Sequence, residues 1–246
     1  AKVPLNSTSN KDKVRIQNLG QSMIALSQGI PFFHAGDEIL RSKSGDGDSY
    51  DSGDWFNAID FTYGSNNWGV GLPSEWRNKD EWSFWKERLS MSELKVNKDN
   101  ILSSLSNFKR FLSIRKSSKL FRLNSSDEIK NQVSFLENET SSGTVASIPG
   151  VIAMYVEDKN NIDSNKKSVL SIFNANKTAI EFSNSMIKGK NMELAPQLLD
   201  SNVYLQKGSE FVLLPIDPQI SKAKFNNQSG TITIPPYTSL VYFEKE

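Results

Sequence analysis

The chain of 246 residues contains no cysteine, which excludes disulfides, thiolate metal sites and a cysteine nucleophile. Histidine is nearly as scarce: His34 is the single one, so a metal site with two imidazole ligands is excluded as well. Neither sign of charge is in excess. The formal net charge is +1 and no Lys/Arg cluster forms a basic stripe, so nucleic acid is not an expected partner. No apolar run approaches the roughly 18–20 residues of a membrane helix, and no signal-peptide pattern opens the chain, so a membrane is not expected either. No G-x-S-x-G elbow and no internal repeat occur. What remains is a globular composition, 37% hydrophobic and 23% charged, long enough for one large domain or two ordinary ones.

The two halves differ in pattern. From Lys11 to Gln28, Ile16, Leu19, Met23 and Leu26 recur at helical spacing, with Ser9 or Asn10 as N-cap and Gly29 and Pro31 as the stop. Gly20 inside this helix costs about 1 kcal/mol relative to alanine, which predicts close packing against a neighbour. The apolar run Ile30 to Ala35 is continuous rather than alternating, as in a strand of a parallel sheet buried on both faces. A second helix is predicted over Asn100 to Ser117, with Ile101, Leu105, Phe108 and Leu112 on one stripe. Arg110, Arg115 and Lys116 lie toward its end, where cations suit the helix dipole. Between them, from His34 to Trp85, there is little periodicity, yet the stretch carries Trp55, Trp68, Trp76, Trp82 and Trp85. Irregular segments of that length in a compact domain are usually functional. After Phe121 the chain turns to short strands, "QVSFLE", "GVIAMYVED", "KSVLSIFNA", "AIEF", "EFVLLP" and "GTITIPPYTSLVYF", which predict a sandwich with a boundary near residue 120.

The stretch "IPFFHAGDEILRSKSGDGDSYDSGDWFN" (30–57) is where chemistry would sit. Counted as a calcium loop from Asp46, it puts Tyr50 at position five, Asp51 at six and Asn57 at twelve, and so fails the EF-hand pattern. No metal ligands are assigned. A solvated, hydrogen-bonded loop is the plainer reading. His34 ends the apolar run without a partner identifiable from spacing, which favours a structural or supporting role over a catalytic one. Asp37 and Glu38 are adjacent, and in an extended segment adjacent side chains point to opposite faces, unlike a glycosidase pair facing across one bond. They are expected to bond nearby backbone or pair with Arg41. Trp and Tyr beside Asp and Asn is a composition that sugar sites use, since sugar rings offer apolar faces for stacking and hydroxyls for polar groups. Packing is the expectation for any single tryptophan, and a sugar contact for at least one aromatic.

The segment "QNLGQSMIALSQGIPFFHAGDEILRSKSGDGDSYDSGDWFNAIDFTYGSNNWGVGLP" resembles the pullulanase and limit-dextrinase type of α-1,6-glucosidase in the α-amylase family of glycoside hydrolases. The likeness continues through "NFKRFLSIRKSSKLFRL" and, more loosely, "PGVIAMYVED", "SVLSIFNAN" and "TITIPPYTSLVYF". It implies an α/β plus all-β chain: the last part of a (β/α)8 barrel in residues 1–120, then a C-terminal antiparallel β-sandwich in 121–246. Residues 30–35 would be the last barrel strand, and the loop after it would sit at the end where barrel enzymes build their sites.

The resemblance implies retaining hydrolysis of α-1,6 linkages in pullulan, amylopectin or limit dextrins. It also places the nucleophilic Asp, the acid/base Glu and a third Asp upstream of Ala1, the third in a His-Asp motif that precedes a segment like "AKVPLNSTSNKDKVRIQNLG". No catalytic residue is therefore expected in this chain. Its expected contribution is substrate binding by His34, Asp37, Asp46, Tyr50, Asp54, Trp55 and Asn57. The expected partners are a branched α-glucan and the upstream barrel segments. No cofactor is required, and the resemblance leaves room for a structural calcium in the longer protein. Family members usually carry Leu and Arg where Gly45 and Gly47 stand, which removes a cationic donor to sugar hydroxyls. Two alternatives remain: a non-catalytic carbohydrate-binding or structural module, and another specificity within the α-amylase family.

Overall fold

The computed structural model describes residues 8–50, 52–140 and 142–245. Five helices come first: α1 (Asn10–Leu26), α2 (Glu75–Asn78), α3 (Trp82–Ser90), α4 (Lys98–Ser117) and α5 (Ser126–Gln132). The strands that follow begin with β1 (Val133–Leu136), β2 (Asn138–Glu139), β3 (Val145–Ala146), β4 (Val151–Glu157), β5 (Lys166–Asn174) and β6 (Ile180–Ser183). They continue with β7 (Met192–Leu194), β8 (Tyr204–Lys207), β9 (Glu210–Leu213), β10 (Lys224–Asn226), β11 (Thr231–Ile234) and β12 (Thr238–Lys245). The chain divides into two compact units: the described residues of Ala1–Gln17 with Phe33–Leu105, and Asn18–Phe32 with Ser106–Glu246.

The second unit is mostly antiparallel sheet. Its five-stranded sheet has the order β1-β4-β5-β12-β7, and a three-stranded sheet has the order β10-β11-β6. Pairs β2-β3 and β8-β9 stand apart as hairpins. All six stretches expected from the sequence form strands, the last of them two (β11 and β12), and β2, β3, β7, β8 and β10 are additions of two to four residues each. Strand β5 has no wet face along most of its length. Ser168, Ser171 and Asn174 are as buried as Val169, Leu170 and Ile172, because the strand is covered on both sides. On one face Phe225 of β10 lies against Tyr242 of β12, ring centroids 5.8 Å apart. On the other, Ser239 of β12 meets Ser22 of α1 at 2.5 Å, and Phe243 meets Phe121 at 6.4 Å. Asn174 makes its burial tolerable by donating to the carbonyls of Thr178, Ile234 and Pro235.

Helix α1 starts as expected, with the Ser9 hydroxyl accepting from the Asp12 N–H at 3.1 Å. Its packing differs. Val14, Leu19, Ala25 and Leu26 are buried together with Asn18, Gln21 and Ser22, while Ile16 and Met23 are only half-buried. Gly20 has nothing within 4 Å of where a side chain would start, so it does not mark a close approach. In α4 the buried stripe is Ile101, Leu102, Leu105, Phe111 and Ile114, and Leu112 is exposed. Arg110 and Arg115 are buried within this stripe rather than serving the dipole of their own helix. Arg115 donates to the carbonyls of Ala25, Ser27 and Gly29 at 3.0, 2.7 and 2.5 Å, and so caps the C-terminus of α1. Burial, and then the neighbouring charge of Arg122, pulls its pKa below the usual arginine value.

The run Ile30 to Ala35 forms no strand, and Ile30 and Phe32 are 95% and 89% exposed. The sequence expectation of a buried parallel strand fails here for a physical reason. A strand is stabilised by neighbours that accept its hydrogen bonds and cover its faces, and no described strand of this chain pairs with it.

Candidate functional site

The seven residues expected to bind substrate all lie in the first unit, between His34 and Asn57. Gly36, at φ 98°, opens a tight helical turn over Asp37–Ile39. The Asp37 carboxylate accepts from the His34 N–H at 3.2 Å, and the Glu38 carboxylate accepts from the Gly36 N–H at 3.0 Å. Both acids thus bond nearby backbone as expected, though from a turn rather than an extended segment. His34 itself is exposed. Asp37, Leu40, Arg41, Asn66 and Trp68 face a cavity of about 330 Å³ together with the first turns of α1.

Interior contacts hold much of residues 42–50 and 52–57. Ser44 is fully buried, donates to the Asn67 carbonyl at 2.8 Å, and accepts from the N–H groups of Gly69 and Val70 at 3.0 and 3.2 Å. Gly45, at φ 86°, lies on the indole of Trp85, where a Cβ would come within 2.6 Å of Cε2 and 2.7 Å of Cε3. Only glycine fits this backbone and this approach. Asp46 is 8% exposed: one carboxylate oxygen accepts from the Asn78 amide at 3.1 Å and from the Asp48 N–H at 3.2 Å. Its other oxygen is buried and meets no donor among the described residues. Gly47 is open, with nothing within 4 Å of where a side chain would start. Asn57 accepts from the Ser49 hydroxyl at 3.1 Å, and Ser49 in turn accepts from the Lys43 ammonium at 2.6 Å. Asp51, which a calcium-loop count would put at position six, lies outside the described residues. Among the described residues no three His, Asp or Glu side chains gather as metal ligands would.

The aromatic residues divide by role. Trp82 donates to the Pro73 carbonyl at 2.7 Å, and Trp85 packs edge-on against Trp68 and Phe84 at 6.5 and 5.1 Å. These hold the loop to its own unit. Tyr50 and Trp55 are exposed instead, at 77% and 48%, and Asp54 beside Trp55 is exposed too. Trp76 is exposed beneath the Arg77 guanidinium, which also reaches Asp48 at 3.1 Å. The exposed rings of Tyr50, Trp55 and Trp76 and the exposed Asp54 thus stand on a frame fixed from within, and of the seven expected residues only Asp37 lines the cavity.

Several contributors were not foreseen from the sequence. Asn78 is buried, and its amide carries both Asp46 and the Gly47 N–H. No local pattern signals it, because its partners are more than thirty residues away. Asp60 organises the turn after the loop: its carboxylate accepts from the N–H and hydroxyl of Thr62 and from the N–H and hydroxyl of Ser65. These bonds, the Thr62 hydroxyl first, hold its pKa down at about 2. An Asp followed two residues later by Thr is a readable turn signal.

The family described as alpha-1,6-glucosidases, pullulanase-type, C-terminal, matches residues 63–245. Among curated proteins, "Pullulanase 1, chloroplastic" of Arabidopsis thaliana is 41% identical over 240 residues, which is 95% of this chain and 23% of that protein. "Pullulanase" of Klebsiella pneumoniae is 36% identical over 148 residues, 59% of this chain and 13% of that protein. This chain thus spans less than a quarter of the length of either relative. Among solved structures, PulA from Klebsiella oxytoca superposes with a TM-score of 0.77 at 23% identity, covering 98% of this chain and 21% of that one. A maltotriose complex of PulA from Klebsiella pneumoniae gives 0.73 at 24% identity, covering 95% and 23%. At these identities the structural likeness speaks for the fold.

Proposed function

This chain belongs to the C-terminal family of pullulanase-type α-1,6-glucosidases, and from that membership we propose that it is the C-terminal portion of a starch-debranching enzyme. The observation that carries the reading is the family match over residues 63–245, three-quarters of the chain. The reaction would be hydrolysis of α-1,6-glucosidic linkages in pullulan, amylopectin or limit dextrins, through a covalent glycosyl intermediate formed on a carboxylate supplied by upstream segments. In this layout residues 1–120 complete a (β/α)8 barrel and 121–246 form the β-sandwich that follows it. The exposed Ile30 and Phe32 support the layout, since a strand at 30–35 would bury them once upstream strands pair with it.

His34, Asp37, Tyr50, Asp54, Trp55 and Asn57 would form the floor and one wall of the glucan cleft, with Asp46 fixing their loop from beneath. They bind and orient; the bond-breaking carboxylates come from elsewhere. In the full-length protein Asp46→Ala should lower kcat/KM on pullulan by roughly one to two powers of ten, far less than loss of a reacting carboxylate. Gly47→Arg should be accepted sterically, because nothing lies within 4 Å of its Cβ position. Steady-state kinetics decide the matter. An Asp46→Ala enzyme that is folded and as inactive as a nucleophile variant would give the loop a chemical role and overturn this reading.

A further inference from the structure

Trp55 is unusual among the tryptophans of this chain in being half exposed yet tightly backed. Phe56, itself fully buried, lies against the indole with ring centroids 3.7 Å apart and planes 32° apart. Gly53, at φ 92°, approaches the pyrrole end: a Cβ there would lie 3.2 Å from both Cδ1 and Nε1. Gly71, at φ 147°, approaches the benzo end, where a Cβ would lie 2.9 Å from Cη2. A side chain at either position would crowd the ring, so both close approaches require glycine. The backbone beneath it is also pinned. Asn67, in the left-handed region at φ 69°, donates from its amide to the carbonyls of Trp55 and Phe56 at 2.9 and 3.2 Å. The carbonyl of Asn67 accepts in turn from the buried Ser44 hydroxyl. Gly53 and Gly71, both at positive φ, approach the ring itself, and Asn67 holds the backbone that carries it, so the half-exposed indole is fixed from behind.

We propose that Trp55 is a preorganised stacking platform for one glucosyl ring of the α-glucan, with Gly71, Gly53 and Asn67 as the residues that position it. This deepens the debranching-enzyme reading and rests on it. The chemistry is that of a flat apolar surface meeting the C–H face of a pyranose, with the rim of the ring left to hydrogen-bond to Tyr50, Asp54 or water. Because the indole is held before substrate arrives, little side-chain freedom is lost on binding. Such a platform acts on ground state and transition state alike, so it should appear in KM and not in kcat.

The test uses the full-length protein with pullulan as substrate. Trp55→Ala should raise KM about tenfold and leave kcat within about twofold of wild type, and Trp55→Phe should recover part of the loss. Gly71→Ala should raise KM in the Trp55 background and add nothing further in the Trp55→Ala background, because it acts only through the ring. Where Gly71→Ala does not fold, Phe56→Leu removes the backing ring without backbone strain and is expected to show the same non-additivity. An unchanged KM for Trp55→Ala, a fall in kcat at constant KM, or equal effects of Gly71→Ala in both backgrounds would overturn the proposal alone. A wild-type full-length protein that does not cut pullulan would overturn the underlying reading, and the platform with it.

Discussion

Gly45→Leu will destabilise the first unit by about 3 kcal/mol, the sum of placing a side chain in the left-handed region and of forcing it into an occupied space. Gly45 sits at φ 86°, and a Cβ there would fall within 2.6 Å of Cε2 of Trp85. The indole cannot simply swing aside, because its N–H donates to Glu81 at 3.0 Å and its edge packs on Trp68 and Phe84. The readout is clean. All five tryptophans lie between residues 55 and 85, inside this unit, so tryptophan emission during urea titration reports its unfolding without interference from the sheets. The midpoint should fall, and Gly45→Leu combined with Trp85→Ala should recover part of the loss by making room. A Gly45→Leu chain with the wild-type midpoint would mean that this contact does not exist in solution.

Arg115→Met is expected to cost the second unit about 3–5 kcal/mol, more than a typical point substitution. Methionine keeps much of the apolar stem but removes the donors to the carbonyls of Ala25, Ser27 and Gly29. Those carbonyls end helix α1, where backbone acceptors have no partners within the helix, and Arg115 is itself buried. Arg115→Lys should recover only part, since an ammonium is a point charge and cannot span three acceptors as the guanidinium fork does. Far-UV circular dichroism during urea titration, with amide exchange at residues 25–29, measures both effects. A loss below about 0.5 kcal/mol for Arg115→Met would show that the cap is incidental.

These two residues mark how far the sequence could be read. Strands β4, β5 and β12 were legible because long β-branched and aromatic runs bounded by turn residues admit few other structures. Helix α1 was legible at its start, where Ser9 caps it locally, but not in its packing. Gly20 suggested a close approach that does not exist, whereas Gly45, one of several glycines in a polar loop, makes the approach that matters. The difference lies in Trp85, forty residues away, which no local pattern links to Gly45. Arg115 read as a cation for its own helix dipole, and its partners proved to be the end of another helix. The run at 30–35 has the composition of a buried strand but lacks a neighbour, and composition cannot supply hydrogen-bond partners. In the candidate site the exposed aromatic and polar residues were legible. The frame of Ser44, Asn67 and Asn78 was not, because its bonds join segments distant in sequence.

The central claim is that this chain supplies substrate-binding surface while the reacting carboxylates belong to upstream segments. Release of reducing sugar from pullulan, measured for residues 1–246 alone and for the same chain joined to its upstream sequence, tests it directly. The account predicts no release by the chain alone and sustained release by the longer protein. Turnover by residues 1–246 that survives repurification, and that is lost on mutation of Asp46 or Asp54, would contradict it.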